Sequence, residues 1–405
     1  MEELRKTDTN ENYRFANKML FVKIKLSLKR NLKLIKKYFQ LFAQRITNTS
    51  RNKSYPLVNF VIENANWSIK WDGIYLRKYL HNNTTGQTLD ISKIPIINST
   101  KRVIHFGSQY MWEEWSNILP KDNKYVVSFF HGKYEDGPKA SKHIDEFIKT
   151  QNSIYKVVTG SSIIFDRLKN WGIPASKLIC IPIGVDTRLF KIPTKEEKEK
   201  IREKLGFEKH EIIIGSFQKD GVGWSDGDIP KFIKGPDLLV ESLDLISKEF
   251  PIKVLLTGPA RGYVKNELSK RNIKYKHVFL NSYEEIANYY HALDLYLVSS
   301  REEGGPKAIV ESMASGVPLV TTNVGMAKDF VKDQINGGLV NEFDSTSISK
   351  KIVQIINNPY KANIIKKARE EVMRADWEIV AQTHWEKVYK PAIKELNENI
   401  NFYNY

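Results

Sequence analysis

Ser299-Ser300-Arg301-Glu302-Glu303-Gly304-Gly305-Pro306-Lys307-Ala308-Ile309-Val310-Glu311-Ser312-Met313-Ala314-Ser315-Gly316 is the stretch from which the rest of the chain can be read. The run Leu295–Ser299 has the length and apolar character of a buried strand. A Gly-Gly-Pro turn follows it, and a helix pattern begins near Lys307. In a parallel α/β sheet, ligands bind where a strand's C-terminal edge meets a helix N-terminus, because unpaired backbone N–H groups and the helix dipole attract phosphate there. Glu303 falls in the turn and Glu311 about one turn into the helix, so two carboxylates could flank one ligand. Carboxylates suit sugar hydroxyls, since each accepts hydrogen bonds from neighbouring OH groups. A capped helix with ordinary surface acids is the alternative on spacing alone.

Working outward, short β-rich runs alternate with helical patterns on both sides, the signature of parallel sheets covered by helices. The nearer series has expected strands at Glu211–Phe217, Ile252–Thr257, Val278–Leu280, Leu295–Ser299 and Pro318–Thr321, with helices near Pro236–Phe250, Tyr283–Ala292 and Ala308–Ser315. The earlier series has strands at Leu57–Ile62, Arg102–Phe106, Tyr125–Phe130, Lys156–Thr159 and Leu178–Pro182, with helices at Lys139–Thr150 and Ser162–Trp171. A chain of 405 residues is long for one core and fits two. The boundaries expected are an N-terminal helical extension over 1–54, one α/β domain over 55–188, a second over 189–374, and a closing helical segment over 375–405. That last segment carries Trp377, Trp385 and Tyr389 and must bury a face, with the first domain as a candidate surface.

Apolar residues make up 41% and charged residues 27%, the balance of a folded globular protein. The single cysteine, Cys180, excludes an intrachain disulfide and a cysteine metal cluster, and fits a reducing cytoplasmic setting. The formal net charge of +16 calls for a partner of opposite sign, and its distribution is uneven. Lys23, Lys25, Lys29, Arg30, Lys33, Lys36 and Lys37 alternate with apolar residues near the N-terminus. At helical spacing Phe21, Ile24, Leu28, Leu32, Ile35, Phe39 and Phe42 share one face. Residues 19–43 thus read as a basic amphipathic helix. It either lies on an anionic membrane surface, which would make the protein peripheral at the inner face, or packs on the body with a solvated basic side. Charges interrupt every apolar run before the roughly 20 residues needed to span a bilayer.

The quoted stretch resembles the signature of family-4 retaining glycosyltransferases of GT-B fold: Glu303, seven residues, Glu311, a glycine turn, then Glu-Ser-Met-Ala-Ser-Gly-Val-Pro. The segment Ile181–Phe190, the run Leu255-Leu256-Thr257-Gly258-Pro259, Asp294, Val324-Gly325-Met326 and Asn336-Gly337-Gly338-Leu339-Val340 fall in that family's order and spacing. The resemblance covers most of 181–344, while the first domain matches in pattern only. It implies two Rossmann-like domains facing a cleft, and transfer of a sugar from a nucleotide-sugar donor to a glycan or lipid-linked acceptor. No metal and no cofactor are implied.

Carried over to matching positions, the resemblance gives Glu311 the ribose hydroxyls and Glu303 the donor sugar. The backbone at Gly304 and Gly305 takes the diphosphate or sugar, within a donor site that also includes Gly215 and Gly258. Two cations would stabilise the leaving diphosphate. Many relatives have Arg where this chain has Ser216, so Lys219 and Lys234 are the candidates. His131, in Ser128-Phe129-Phe130-His131-Gly132, matches a strand-end histidine that related enzymes place near the reacting pair. Glu303, His131 and Lys234 are therefore the expected catalytic residues. Asn64, Asn66 and Trp67 stand where many relatives carry a glycine-rich loop.

Asp226-Gly227-Asp228 mimics the metal-binding Asp-x-Asp of another glycosyltransferase fold, but it lies in a glycine-rich loop with no strand before it and reads as turn chemistry. Trp224 beside it reads as a loop residue packed on the body, with stacking on a ligand as the alternative. No Walker A loop, nucleophile elbow or His-Glu-x-x-His pattern occurs. Two rivals stay open: a non-catalytic nucleotide-sugar-binding GT-B module serving a partner subunit, and a basic nucleic-acid-binding protein. The second lacks any recognisable nucleic-acid module.

Overall fold

The computed structural model describes residues 57–63, 68–83, 89–97 and 101–401, and in the N-terminal segment residues 32, 35–37, 39, 40 and 43. The first lobe is a six-stranded parallel sheet of β1 (Val58–Val61), β2 (Leu89–Ser92), β3 (Val103–Phe106), β4 (Lys124–Phe129), β5 (Ile154–Thr159) and β6 (Leu178–Cys180), in the order β2-β1-β3-β4-β5-β6. The second lobe repeats the plan with β7 (Ile212–Ser216), β8 (Ile252–Thr257), β9 (Tyr275–Val278), β10 (Leu295–Val298), β11 (Leu319–Thr322) and β12 (Gly338–Val340), in the order β12-β11-β10-β7-β8-β9. Both sheets are parallel throughout and covered by helices on both faces, so their central strands are buried and read as apolar runs. This is the GT-B fold.

The sequence reading departs from the structure at the sheet edges. The outer strands β2 and β12 were not expected, and β9 lies three residues earlier than the apolar signal suggested. An edge strand is covered on fewer sides, so it keeps polar residues such as Asp90 in β2 and Lys276 in β9 that disguise it in sequence. The helix Ser68–Asn83 was also unexpected; Tyr75, Leu76, Tyr79 and Leu80 bury its inner face against β1 and the C-terminal helices.

The chain crosses between the lobes twice, and the two crossings lie side by side. Val185 N–H donates to the Ala375 carbonyl at 2.9 Å, and Trp377 N–H donates to the Val185 carbonyl at 3.1 Å. The Asp376 carboxylate accepts from the Thr187 hydroxyl at 2.6 Å and from its N–H at 3.2 Å. Past this point the helix Trp377–His384, a π-helical turn Trp385–Tyr389 and the helix Lys390–Asn401 return to the first lobe. There Trp377, Val380, Val388, Tyr389 and Leu396 pack with Val58, Phe60 and Val103 of the first sheet. Lys124 and Tyr155 both bond to Glu395 and fasten the last helix to β4 and β5.

Little of the N-terminal segment is described, and most of residues 19–43 lie outside the described set. Leu32, Ile35–Lys37, Phe39, Gln40 and Ala43 are helical. Leu32, Ile35 and Phe39 are 64%, 63% and 70% exposed, whereas Lys37 is buried. The Lys37 ammonium donates to the Glu114 carbonyl at 2.6 Å and sits 4.6 Å from the Trp115 ring centroid. At these residues a basic side chain faces the body and apolar ones face outward. Among the described residues no helix is long and apolar enough to cross a membrane.

Two buried histidines, His105 of β3 and His384 of the first returning helix, lie together where those helices cover the sheet. His105 contacts the Tyr389 hydroxyl at 2.6 Å and the Ser128 hydroxyl at 2.9 Å, and its ring lies 6.1 Å from that of His384. Burial lowers His384 from the ordinary 6.5 to about 4, and lowers His105 in the same direction. Between those values the unfolded chain binds protons that the folded chain does not. Stability is therefore fully present above pH 6.5 and declines as the pH falls, with a slope approaching about 1.4 kcal/mol per pH unit for each histidine. In urea titrations from pH 7 to pH 5, His384→Gln is expected to flatten this loss; an unchanged slope would show that the pair does not set it.

Candidate active site

β10 ends at the mouth of the cleft and delivers Ser299 and Ser300, both fully buried. Gly235 lets the preceding lysine come close. It adopts φ +62°, and any Cβ there would run into the Ser299 carbonyl. Lys234 is thereby set beside the glycine turn, and its ammonium lies 2.7 Å from Glu303 Oε2. The Ser300 hydroxyl is 2.9 Å from Glu303 Oε1 and 3.1 Å from Gln218 Oε1, while Gln218 Nε2 donates to the Lys234 carbonyl at 2.7 Å. These contacts close a ring that fixes both Glu303 and Lys234. Arg301 braces the turn from outside through a two-point pair with Asp237 at 2.8 and 2.6 Å.

His131 follows β4 on the opposite wall. Burial, and next the Lys234 charge, lower its pKa against the raising influence of Glu303 and Glu302, so the imidazole is neutral at pH 7. Three of the residues expected from the sequence, His131, Lys234 and Glu303, thus meet across the cleft. The lobes are closed upon each other. Gly304 lies so near the Phe130 carbonyl that a Cβ would overlap it, and Gly305 lies against Ile183. Arg167 of the first lobe grips Glu302 at 2.5 and 3.3 Å and also donates to the Gly132 carbonyl at 2.9 Å. Ser162 N–H donates to Asp329 at 2.9 Å, and Lys307 pairs with Asp72 at 2.6 Å.

Glu311 is not open to the cleft in this state. It is 4% exposed, and both its oxygens accept from tyrosine hydroxyls, Tyr290 at 2.9 Å and Tyr283 in a shorter contact. Burial raises its pKa, opposed by the tyrosine bonds and by Lys307. Tyr283 in turn packs on Trp71 of the first lobe, with ring centroids 5.3 Å apart, and Lys307 lies 5.2 Å from the Tyr283 centroid. Gly215 lies inside β7, where Leu293 occupies the space of a side chain; its role there is packing within the sheet. Gly258 has φ +81° with open space beside it, and its carbonyl contacts His277 Nε2 at 2.7 Å.

The Lys219 ammonium lies 4.3 Å from the Trp224 centroid. Burial and then neighbouring Lys231 lower its pKa. Trp224, which the sequence suggested would pack on the body, is 58% exposed at the tip of a hairpin that is held at its base. There the fully buried Arg261 donates to the Ser216 and Gln218 carbonyls, each at 2.7 Å, and pairs with Asp220 at 3.0 Å. The place beside Ser216, where relatives carry arginine in sequence, is thus filled by an arginine from another loop. The Asp226 and Gly227 carbonyls accept from Gly262 and Tyr263, and Asp228 accepts from Asn266 at 3.3 Å. Among the described residues no group of three His, Cys, Asp or Glu side chains could hold a metal ion. Asn64, Asn66 and Trp67 lie outside the described residues. Sequence reasoning missed Asp72, Arg167, Gln218, Tyr283, Ser300 and Arg261, each of which acts through a partner far away in the chain.

Residues 230–371, most of the second lobe, match the family model Glycosyl transferases group 1. The chain is 23% identical over 275 residues to an uncharacterised glycosyltransferase of Methanocaldococcus jannaschii, covering 65% of this chain and 67% of that one. It is 22% identical over 281 residues to the D-inositol 3-phosphate glycosyltransferase of Corynebacterium aurimucosum, covering 66% and 64% respectively. In structure it is similar to the Anabaena protein HepE, crystallised with UDP and glucose, with a TM-score of 0.67 at 17% identity over 82% of this chain and 99% of that one.

The Gly304 contact yields a direct test of closure. Gly304→Ala adds a methyl group at the lobe interface and is expected to leave the melting temperature near wild type. Because it holds the lobes apart, it should lower sugar transfer on the order of a hundredfold, the scale of a misplacement of about 1 Å. Undiminished transfer would show that this contact is not part of the working geometry.

Proposed function

We propose that the protein is a retaining glycosyltransferase that takes a sugar from a nucleotide-sugar donor and passes it, without a metal ion, to a glycan or lipid-linked acceptor. The observation that carries this reading is the Lys234–Glu303 pair at 2.7 Å, set beside the glycine turn and faced by neutral His131. In the structure each charge satisfies the other. A donor diphosphate would draw Lys234 to itself and leave Glu303 to accept hydrogen bonds from the sugar hydroxyls. Lys219 supplies a second cation near the same edge. Glu311 holds the ribose hydroxyls once Tyr283 gives up its place. The bond from the anomeric carbon to the donor phosphate breaks as the acceptor oxygen bonds to the same face. The acceptor proton passes to the departing phosphate oxygen, and the lysines hold the negative charge left behind.

The same reading attaches the protein to the cytoplasmic face of a membrane through residues 19–43. Its support is the outward exposure of Leu32, Ile35 and Phe39 in a segment dense in lysine.

Melting temperatures with UDP-, GDP-, ADP- and CMP-sugars should single out one donor base, since a ligand bound only by the folded state stabilises it. With that donor, Lys234→Ala is expected to lose transfer on the order of a hundredfold or more. Proton NMR of the product should show the donor's own anomeric configuration. An inverted product, or full activity of both Lys234→Ala and Glu303→Gln, would overturn the assignment. For the membrane, the triple variant Leu32→Glu, Ile35→Glu, Phe39→Glu should remain in the supernatant when full-length protein sediments with anionic vesicles. Equal sedimentation of both would remove the helix from the account.

A further inference from the structure

The first-lobe wall of the cleft carries a group of side chains that the donor chemistry leaves unused. Tyr110 stands at the start of the helix Gln109–Trp115 and is 47% exposed. Its ring stacks on that of His143, centroid to centroid 4.4 Å and 24° from parallel, and lies 6.0 Å from the ring of His131. Its neighbours are fixed from behind. Gln109, 1% exposed, donates to the His131 carbonyl at 2.8 Å and accepts from Phe130 N–H at 3.2 Å. Ser108 donates to Glu63 at 2.8 Å. His143, 7% exposed, is held through Nδ1 by Glu113, and its Nε2 has no hydrogen-bond partner among the described residues. An exposed aromatic face is thus seated on a buried imidazole with an unmet polar atom, one ring away from the histidine that faces Lys234 and Glu303.

Three carboxylates act on that face. The groups that raise the Tyr110 phenol after burial are Asp136, Glu113 and Glu63, all carboxylates. The donor edge, with Lys234 and Lys219, has the contrary character.

Resting on the glycosyltransferase reading, we propose that Tyr110, with Glu63, Glu113, Asp136 and His143 around it, is the acceptor subsite, and that it takes a hydroxyl-rich sugar carrying no negative charge. The apolar face of a sugar ring packs on Tyr110, its hydroxyls donate to the carboxylates, and one hydroxyl is carried toward His131. A phosphate or carboxylate on that sugar would lie among carboxylates and be repelled. Any anionic group of the acceptor must therefore lie beyond the sugar that receives the transfer.

The test is saturation-transfer NMR on the full chain with UDP present, using methyl glycosides of neutral and 2-amino hexoses beside glucose 6-phosphate and glucuronate. Neutral or amino glycosides should be saturated and the two anions should not. Tyr110→Ala should reduce that saturation by at least about tenfold, and Tyr110→Phe should restore it because the stacking face is kept. Glu113→Gln should weaken it while near-ultraviolet circular dichroism reports an intact fold. Saturation of the anions as strong as that of the neutral sugars, none from any neutral sugar, or an undiminished signal in Tyr110→Ala would each overturn the subsite. Calorimetric titration of UDP in the same samples separates this outcome from failure of the donor reading. Wild-type protein that binds no nucleotide would sink the donor reading, whereas nucleotide binding without sugar saturation would sink the subsite alone.

Discussion

Everything at the cleft depends on the place where the chain crosses twice between lobes. Val185 and the Ala375–Trp377 turn are hydrogen-bonded as neighbours, and Asp376 ties both strands of the crossing through Thr187. Two crossings side by side leave the lobes one soft mode, a swing about that line, and suppress sliding and twisting. The walls of the cleft can therefore meet in register. Gly304 can be trusted to arrive against Phe130, Arg167 against Glu302 and Lys307 against Asp72. Without a fixed axis, a glycine shaped to one carbonyl on another domain would have nothing to be shaped to.

Given that register, the two walls divide the chemistry by charge. The second lobe offers lysines at a glycine turn next to a helix N-terminus, the means by which proteins hold phosphate. The first lobe offers carboxylates around an exposed tyrosine. His131 stands where these regions meet, and because burial and Lys234 keep its ring neutral it adds no charge to either. A low-dielectric seam between opposite fields makes fixed charges count for more than they would in water, so the closed lobes are as much a part of the electrostatics as the residues.

The second-lobe site was legible because its residues are consecutive: Glu303, the glycine turn and Glu311 lie within a single strand, turn and helix, and Lys234 is marked by its own glycine. What stayed illegible was made by pairs remote in sequence. Arg167 with Glu302 and Asp72 with Lys307 look like ordinary residues until the lobes close, and Tyr283 shows its role only when folded onto Glu311. Lys219 is the basic residue nearest Ser216 in sequence, and its surroundings could not be read there. The structure turns it toward Trp224 and fills the space beside Ser216 with Arg261, 45 positions away. His131 could be found from its strand end, but Tyr110 and His143 could not, because stacking across 33 residues leaves no period in the chain. The edge strands failed for a related reason: half their surface is solvated, so composition there is shared between sheet and water.

The seat of Glu311 has a thermodynamic consequence. Tyr283 and Tyr290 hold its carboxylate, so on the proposed reading the protein's own hydroxyls stand where those of the ribose would. A nucleotide held as proposed would bind by displacement, and its measured dissociation constant would be the intrinsic one divided by the fraction of molecules already open. If one molecule in a hundred were open, about 2.7 kcal/mol of binding energy would go into opening the seat. Such a molecule discriminates by completeness. A fragment that touches only the phosphate edge gains too little to displace the tyrosine, whereas a ligand long enough to reach both the lysine and the buried glutamate recovers the cost at its far end. Selectivity against inorganic phosphate and short phosphoesters then follows from self-occupancy, with no side chain required to repel them.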